Sequence, residues 1–241
     1  MEQPLRFQDK IVFISGSSSG IGKATAIKLS TLGFNLIIAG RREERLKLLK
    51  YDLESNGVEV CALSFDLRDR TEVDKAIDSL SERWKAIDVL VNNVGVFLPG
   101  KLTEEPEGNF EVMLNTNLAS TYHLTRALFP FIKNAEQPYI FNICSTASIT
   151  PYLNGGSYCI SKYAQYGLTK VLREELKEYN IRVSAVMPGA TLTNSWSGTD
   201  LPEQRFIDPN SVAEMIYTAY QLPGNVVLEE ILMRPMDGDI S

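Results

Sequence analysis

A tyrosine and a lysine stand four residues apart, Tyr158 and Lys162, in a stretch, Ser157–Tyr179, that reads as a helix. That spacing puts both side chains on one helix face. A free phenol, pKa about 10, is mostly protonated at neutral pH, and a neighbouring ammonium stabilises the phenolate. Such a pair can give a proton to a carbonyl or take one from an alcohol. Taken alone, the spacing also arises by chance. Near the start of the chain, Gly16-x-x-x-Gly20-x-Gly22 follows a short apolar run and opens a helix. There the backbone can turn tightly and approach a pyrophosphate, with unpaired N–H groups and a partial positive charge at the helix start. A glycine turn without a ligand is the bland alternative, and the strand–turn–helix setting weighs against it.

These residues must be positioned by an alternation of short apolar strands and amphipathic helices. Ile11–Ile14, Asn35–Ala39, Val58–Phe65, Ile87–Val91, Tyr139–Cys144, Ile181–Met187 and Val226–Met233 read as strands. Between them the pattern predicts helices over Gly20–Leu32, Glu43–Ser55, a segment capped by Thr71 with Val73, Ile77, Leu80 and Trp84 on one face, about Phe110–Asn134, Ser157–Tyr179 and Ser211–Leu222. Strands alternating with helices imply parallel crossovers and a doubly wound sheet with helices on both faces. In such sheets ligands bind beyond the carboxyl ends of the strands, where both motifs fall.

At 241 residues the chain suits one α/β domain, residues 1–241, with no linker or repeat. A net charge of −6 and a pI near 5.0 weigh against nucleic acid or an anionic membrane surface as partner. Cys61, Cys144 and Cys159 are odd in number and lack ligand spacing, so with the single His123 no His/Cys metal site is expected. His123 falls mid-helix, which removes a Ser/His/Asp arrangement, and Cys144 and Cys159 read as small buried residues rather than nucleophiles. Met1–Gln8 lack the blocks of a signal peptide and no apolar run reaches ~18 residues, so a reducing cytoplasm is the expected home.

Five segments in this order, Ser15–Gly22, Asn92-Asn93-Val94-Gly95, Asn117, Ser145 and Tyr158-Cys159-Ile160-Ser161-Lys162, resemble the short-chain dehydrogenase/reductase family over nearly the whole chain. The resemblance implies a single-domain Rossmann fold with a seven-stranded parallel sheet, and an NAD(P)-dependent oxidoreductase. It casts Ser145, thirteen residues before Tyr158, as the hydroxyl that positions the substrate oxygen, and Tyr158 as the general acid/base. It gives Lys162 a second task, binding the nicotinamide ribose hydroxyls, and gives Asn117 a water that extends the proton relay. Asn115 is a rival, but Asn117 precedes Leu118 as the family residue does.

By the same resemblance the cofactor contacts fall on Gly16, Ser18, Gly20, Ile21 and Gly22, on Asp66 and Leu67, on Asn93 and Gly95, and on Pro188, Gly189, Thr191 and Thr193. Asp66 corresponds to the family's adenine-binding carboxylate, though an Asp at a strand end is also a common helix cap. Ser15 stands where the family usually has Thr, and Val94 where it has Ala. An acidic residue ending the second strand would hold a ribose 2′-hydroxyl, whereas an Arg pairs with a 2′-phosphate. This chain reads Ala39-Gly40-Arg41-Arg42, which favours NADP(H) over NAD(H), with Arg41 the leading phosphate partner and Arg42 its helper. The other reading is a solvated basic turn opening a helix.

Val96, Phe97, Leu98, Tyr152, Leu153, Met187 and Trp196 are expected at the pocket mouth, under a short lid, Asn194–Phe206, in which Asp200 and Glu203 face only Arg205. This mainly apolar, aromatic set suggests a small neutral carbonyl or secondary alcohol. A reductase of acyl-carrier-protein thioesters is the alternative substrate reading. Against it, the family's carrier-docking Arg corresponds here to Pro130, and the segment Glu229–Met236 is more similar to the branch of serine-type dehydrogenases and small-carbonyl reductases. A non-catalytic NADP(H)-binding regulatory protein is the alternative of another class. The family also implies a homodimer or homotetramer, paired through the helices Phe110–Asn134 and Ser157–Tyr179.

Overall fold

Strand β1 (Ile11–Ser15) is buried along its whole length because both faces of the sheet are covered by helices. Its side chains alternate between two cores: Val12 and Ile14 enter one, Ile11 and Phe13 the other. The computed structural model describes residues 7–240, so most of Met1–Gln8, expected to lack a leader pattern, lies outside the described residues. Strands β2 (Asn35–Gly40), β3 (Val60–Ser64), β4 (Val89–Asn92), β5 (Tyr139–Ile143), β6 (Arg182–Pro188) and β7 (Glu230–Met233) complete a seven-stranded sheet in the order β3-β2-β1-β4-β5-β6-β7. Every pairing is parallel. The order reverses between β1 and β4, which opens the crevice at their carboxyl ends.

Helices α1 (Gly20–Thr31), α2 (Glu43–Glu54) and α7 (Pro209–Gln221) cover one face through Leu29, Leu46, Leu49, Leu53, Val212 and Ile216. On the other face lie α3 (Arg70–Asp78), α5 (Ser120–Ile132) and α6 (Gly156–Leu176), with Val73, Ile77, Leu124, Leu128, Ile132 and Leu176. Fully burying one such side chain contributes about 1.5–3 kcal/mol, so these stripes fix each helix against the sheet.

Four expectations about elements are corrected. Asp69, not Thr71, caps α3, its carboxylate accepting from the backbone N–H groups of Thr71 and Glu72. That helix stops at Asp78, where Ser79 turns its hydroxyl back onto the Ala76 carbonyl; Leu80 and Trp84 reach the core from the following turns. The long helix before β5 is interrupted: α4 (Asn109–Leu114) and α5 are joined by a π-helical turn, Asn115–Ala119. The extra residue in that turn re-aims side chains, and Asn117 is fully buried there. The last strand is also shorter than Val226–Met233, because Val226 is held in a turn by the Pro223 carbonyl.

Candidate active site

The glycine loop is built around one amide. Asn93 Nδ2 donates to the carbonyls of Ser15 and Gly16 at 3.1 Å each, clamping the loop to the end of β4. Gly16 has φ +65°, and a Cβ at Gly22 would stand 2.6 Å from the Gly16 oxygen as well as against the Asn93 amide. Glycine is therefore required at both positions. The Ser15 hydroxyl, in the place of the family's Thr, donates to the Val91 carbonyl (3.3 Å) and accepts from Asn93 N–H (3.0 Å). Ser17 ties the loop to the Ala39 carbonyl of β2.

Beside this loop the two arginines part ways. Arg42 donates to Ser18 Oγ from Nε (3.1 Å) and Nη2 (2.7 Å), and to Ser19 Oγ from Nη2 (2.8 Å). Arg41, ranked first from sequence, makes no side-chain hydrogen bond among the described residues, and its charge acts on Asp66 across the strand ends. The Asp66 carboxylate is gripped by Arg68, with Nε 3.0 Å from both oxygens and Nη2 2.5 Å from Oδ2. Those contacts hold its carboxyl below the usual carboxylate range. Arg68 had no motif to mark it, yet it lines the same cavity.

That cavity, about 930 Å³, runs from Gly16, Ser18, Gly20, Ile21, Arg41, Arg42, Asp66 and Leu67 past Asn93 and Gly95 to Ser145, Tyr158 and Lys162. Pro188, Gly189, Thr191 and Thr193 border it on the far side. Thr191 Oγ1 donates to the Gly189 carbonyl at 3.0 Å, and Thr193 Oγ1 accepts from Ser195 N–H at 3.4 Å. The Thr193 methyl lies 3.0 Å from where a Gly20 Cβ would be, so this segment packs directly on the glycine loop. Gly22 and Asn117 are absent from the wall: one lies behind the loop, the other inside the π turn.

At the deep end, Ser145 is held by a reciprocal cap, its hydroxyl accepting from Ala147 N–H (3.1 Å) while its own N–H donates to Ser148 Oγ (3.2 Å). The Phe97 ring meets the Tyr158 ring edge-on, with centroids 4.9 Å apart. Burial pushes the Tyr158 phenol up to about 12, and the Ser145 hydroxyl pulls the other way. Lys162 Nζ is 5.9 Å from the centroid of that ring but donates to Ile143 O (2.9 Å) and Gln165 Oε1 (2.8 Å), and burial pushes it down to about 8. The expected pull of the ammonium on the phenol is not seen in this arrangement: burial raises the phenol, and the ammonium donates to oxygen acceptors.

Asn117 is engaged on both sides of its amide. Oδ1 accepts from Val96 N–H (2.7 Å), while Nδ2 donates to Val96 O (3.0 Å) and Ser161 Oγ (2.9 Å). Its side chain therefore braces the segment after β4 against α6. Ser161 and Gln165, one and two helical steps from the tyrosine, are polar residues at buried positions; that mismatch was a signal the helical pattern carried.

Val96, Phe97, Tyr152, Leu153 and Trp196 line the cavity mouth; Leu98 and Met187 do not. Met187 packs instead with Cys144 and Ala185. Cys144 itself touches the cavity, with its thiol pushed up by burial. Lid residue Arg205 reaches the Gly238 carbonyl (3.3 Å) rather than Asp200 or Glu203. Behind it, Asp239 and Ile240 also reach the cavity wall, Asp239 paired with Arg234 at 2.9 Å. No local pattern marked them, since the tail meets the site only through the fold. Among the described residues no group of three His, Cys, Asp or Glu side chains is placed to hold a metal ion, and no helix is long and apolar enough to cross a membrane.

A doubly wound parallel sheet with a glycine loop at its switch point and a Ser–Tyr–Lys set at the next strand ends defines a nucleotide-dependent oxidoreductase of the Rossmann type. The chain belongs to the short-chain dehydrogenase/reductase family, whose short chain dehydrogenase description matches residues 10–203. It is 32% identical over 238 residues to a sepiapterin reductase of Chlorobaculum tepidum, covering 95% of this chain and 98% of that one. Its fold superposes on an alcohol dehydrogenase of Thermococcus sibiricus complexed with 5-hydroxy-NADP at TM-score 0.90 and 27% identity, covering 96% and 99% of the two chains. A serine dehydrogenase of Escherichia coli follows at TM-score 0.83 and 28% identity, covering 95% of this chain and all of that one. Similar structures include complexes with NADP and with NADH.

Proposed function

We propose that this chain exchanges hydride between NADP(H) and a small carbonyl or secondary alcohol, with Tyr158 as general acid/base. One observation carries the reading: the Ser145 and Tyr158 hydroxyls and the Lys162 ammonium line the same cavity whose other end is the glycine loop with Arg42 fixed above it. The residues present fit a dinucleotide: Gly16 and Gly22 keep the loop free of side chains, and an exposed guanidinium, oriented by Ser18 and Ser19, suits a 2′-phosphate. The bound nicotinamide supplies or accepts the hydride.

The chain's own residues handle the proton. Ser145 Oγ uses one lone pair on Ala147 N–H, which leaves its O–H and a second lone pair to meet the Tyr158 hydroxyl and a substrate oxygen. A phenol at about 12 is protonated throughout the neutral range and is ready to donate to a developing alkoxide. Lys162, fixed by Ile143 O and Gln165, places positive charge beside the phenolate that results. Phe97, Tyr152 and Trp196 supply aromatic walls, and the Asp239 carboxylate is already paired with Arg234. This lining suits a neutral carbonyl compound with a planar portion, a class that includes the substrate named by the Chlorobaculum relative.

The test is NADPH oxidation with sepiapterin, simple diketones, aldehydes, β-keto esters and acyl thioesters in parallel. Turnover of a neutral ketone or dione is expected, and Tyr158→Phe should lower it by ~10²-fold or more with NADPH binding retained. Near-normal turnover in that variant would sink the assignment of Tyr158, and binding without turnover across the panel would favour a regulatory protein.

A further inference from the structure

Lys162 donates a hydrogen bond to a group outside the Ser–Tyr–Lys set. Gln165 is fully buried one helical turn beyond Lys162 on α6. Its Oε1 accepts from Lys162 Nζ at 2.8 Å and its Nε2 donates to Thr121 Oγ1 on α5 at 3.1 Å. The Thr121 hydroxyl in turn donates to the Asn117 carbonyl at 3.3 Å. This last bond fixes the orientation of the amide. With its hydrogen directed at Asn117, the Thr121 oxygen acts toward Gln165 as an acceptor, so Gln165 must present NH₂ to Thr121 and its carbonyl to Lys162.

An ammonium has three N–H donors. Ile143 O and Gln165 Oε1 take two, from opposite elements of the fold, and the third remains for the cavity whose wall Lys162 forms. An apolar residue at position 165, as helical burial would favour, would leave the ammonium with one buried acceptor. A desolvated cation without acceptors sheds its proton or swings away. We infer that Gln165 is a positioning residue, whose carbonyl, locked by Thr121 and the π turn, holds the Lys162 ammonium charged and aimed at the cavity. The inference rests on the proposed role of Lys162.

Lys162 is pushed down to about 8 by burial, with Cys144 at the end of β5 acting in the opposite direction. Tyr158 on the same helix and Gly95 at the β4 exit also lie beside it, with Asn117 next to Gly95 and Thr121 of α5 behind Gln165; of these only Tyr158 titrates. Removing a neutral acceptor destabilises the cation and lowers the lysine pKa. Placing a carboxylate there raises it.

The experiment compares Gln165→Leu and Gln165→Glu by the pH profile of kcat/KM, by fluorescence titration of NADPH and by thermal melting. Loss of the charge-assisted bond should move the alkaline limb of the Leu variant to lower pH by about one unit, with roughly tenfold weaker NADPH binding above that limb. The Glu variant should move the limb in the opposite direction. Shifts of opposite sign support the positioning role, whereas limbs that stay with the wild type, or move together with a fall in melting temperature, overturn it. If the Leu variant does not fold, an alkaline shift in the near-isosteric Glu variant carries the inference, and an unmoved limb ends it. Lys162→Ala separates the two levels: wild-type turnover there refutes the role of Lys162 itself, while lost turnover with unmoved Gln165 profiles refutes this inference alone.

Discussion

Removing Arg42 should abolish the proposed preference for NADPH, leaving a protein that treats NADPH and NADH nearly alike. Its guanidinium is already oriented by three contacts of 2.7–3.1 Å to Ser18 and Ser19, so little side-chain freedom is left to lose when a phosphate arrives. Ordering a free side chain would cost about 0.5–1.5 kcal/mol. Charge-assisted hydrogen bonds contribute roughly 1.5–3 kcal/mol. Arg42 is solvent-exposed, and screening puts the expected value at the lower end. About 1.5–2 kcal/mol corresponds to a ten- to thirtyfold preference for NADPH. Arg42→Ala should erase most of it while NADH affinity stays put. Arg41→Ala should erase less, since Arg41 lacks the serine contacts and acts on Asp66 from a distance. Fluorescence titration of both dinucleotides at low and high salt measures this directly, and rising salt should narrow the gap. A preference that survives Arg42→Ala but not Arg41→Ala would refute the reasoning from the loop geometry. A wild type that binds both dinucleotides equally would reduce the two arginines to a solvated turn.

Gly22→Ala should destabilise by ~2 kcal/mol, because the new methyl meets the Gly16 carbonyl and the Asn93 amide that clamps the loop, and overpacking of this kind typically costs about 1–3 kcal/mol. That is a fall of about 4–8 °C in Tm by calorimetry. Equal melting of the Gly22 variant and wild type would show that the clamp is slack. The chain should self-associate through α4–α5 and α6, which leave Phe110, Tyr122, Ile160, Tyr163 and Val171 exposed. A monomeric mass by light scattering at micromolar concentration would contradict this.

The order of elements was legible in the sequence because each strand is a short continuous apolar run and each helix carries a stripe. Both are local patterns, and the two covered sheet faces simply repeat them. The glycine loop and the Tyr158–Lys162 pair were legible for a similar reason, since a turn and a four-residue helical step are local geometry. What the sequence could not decide was how side chains distant in the chain compete for the same partners. Arg41 and Arg42 are adjacent and chemically equal; only the twist of the chain after β2 turns one toward Ser18 and Ser19. The π turn that buries Asn117 is invisible to a 3.6-residue period, and so is the fate of its amide on Val96 and Ser161. Asp239 reaches the cavity from the far end of the chain. The surroundings of the phenol also came only with the fold. From sequence the lysine is its neighbour, but in the fold burial raises the phenol while Ile143 and Gln165 take the ammonium's hydrogen bonds. Desolvation and partner choice are properties of packing, and packing exists only once the chain has closed on itself.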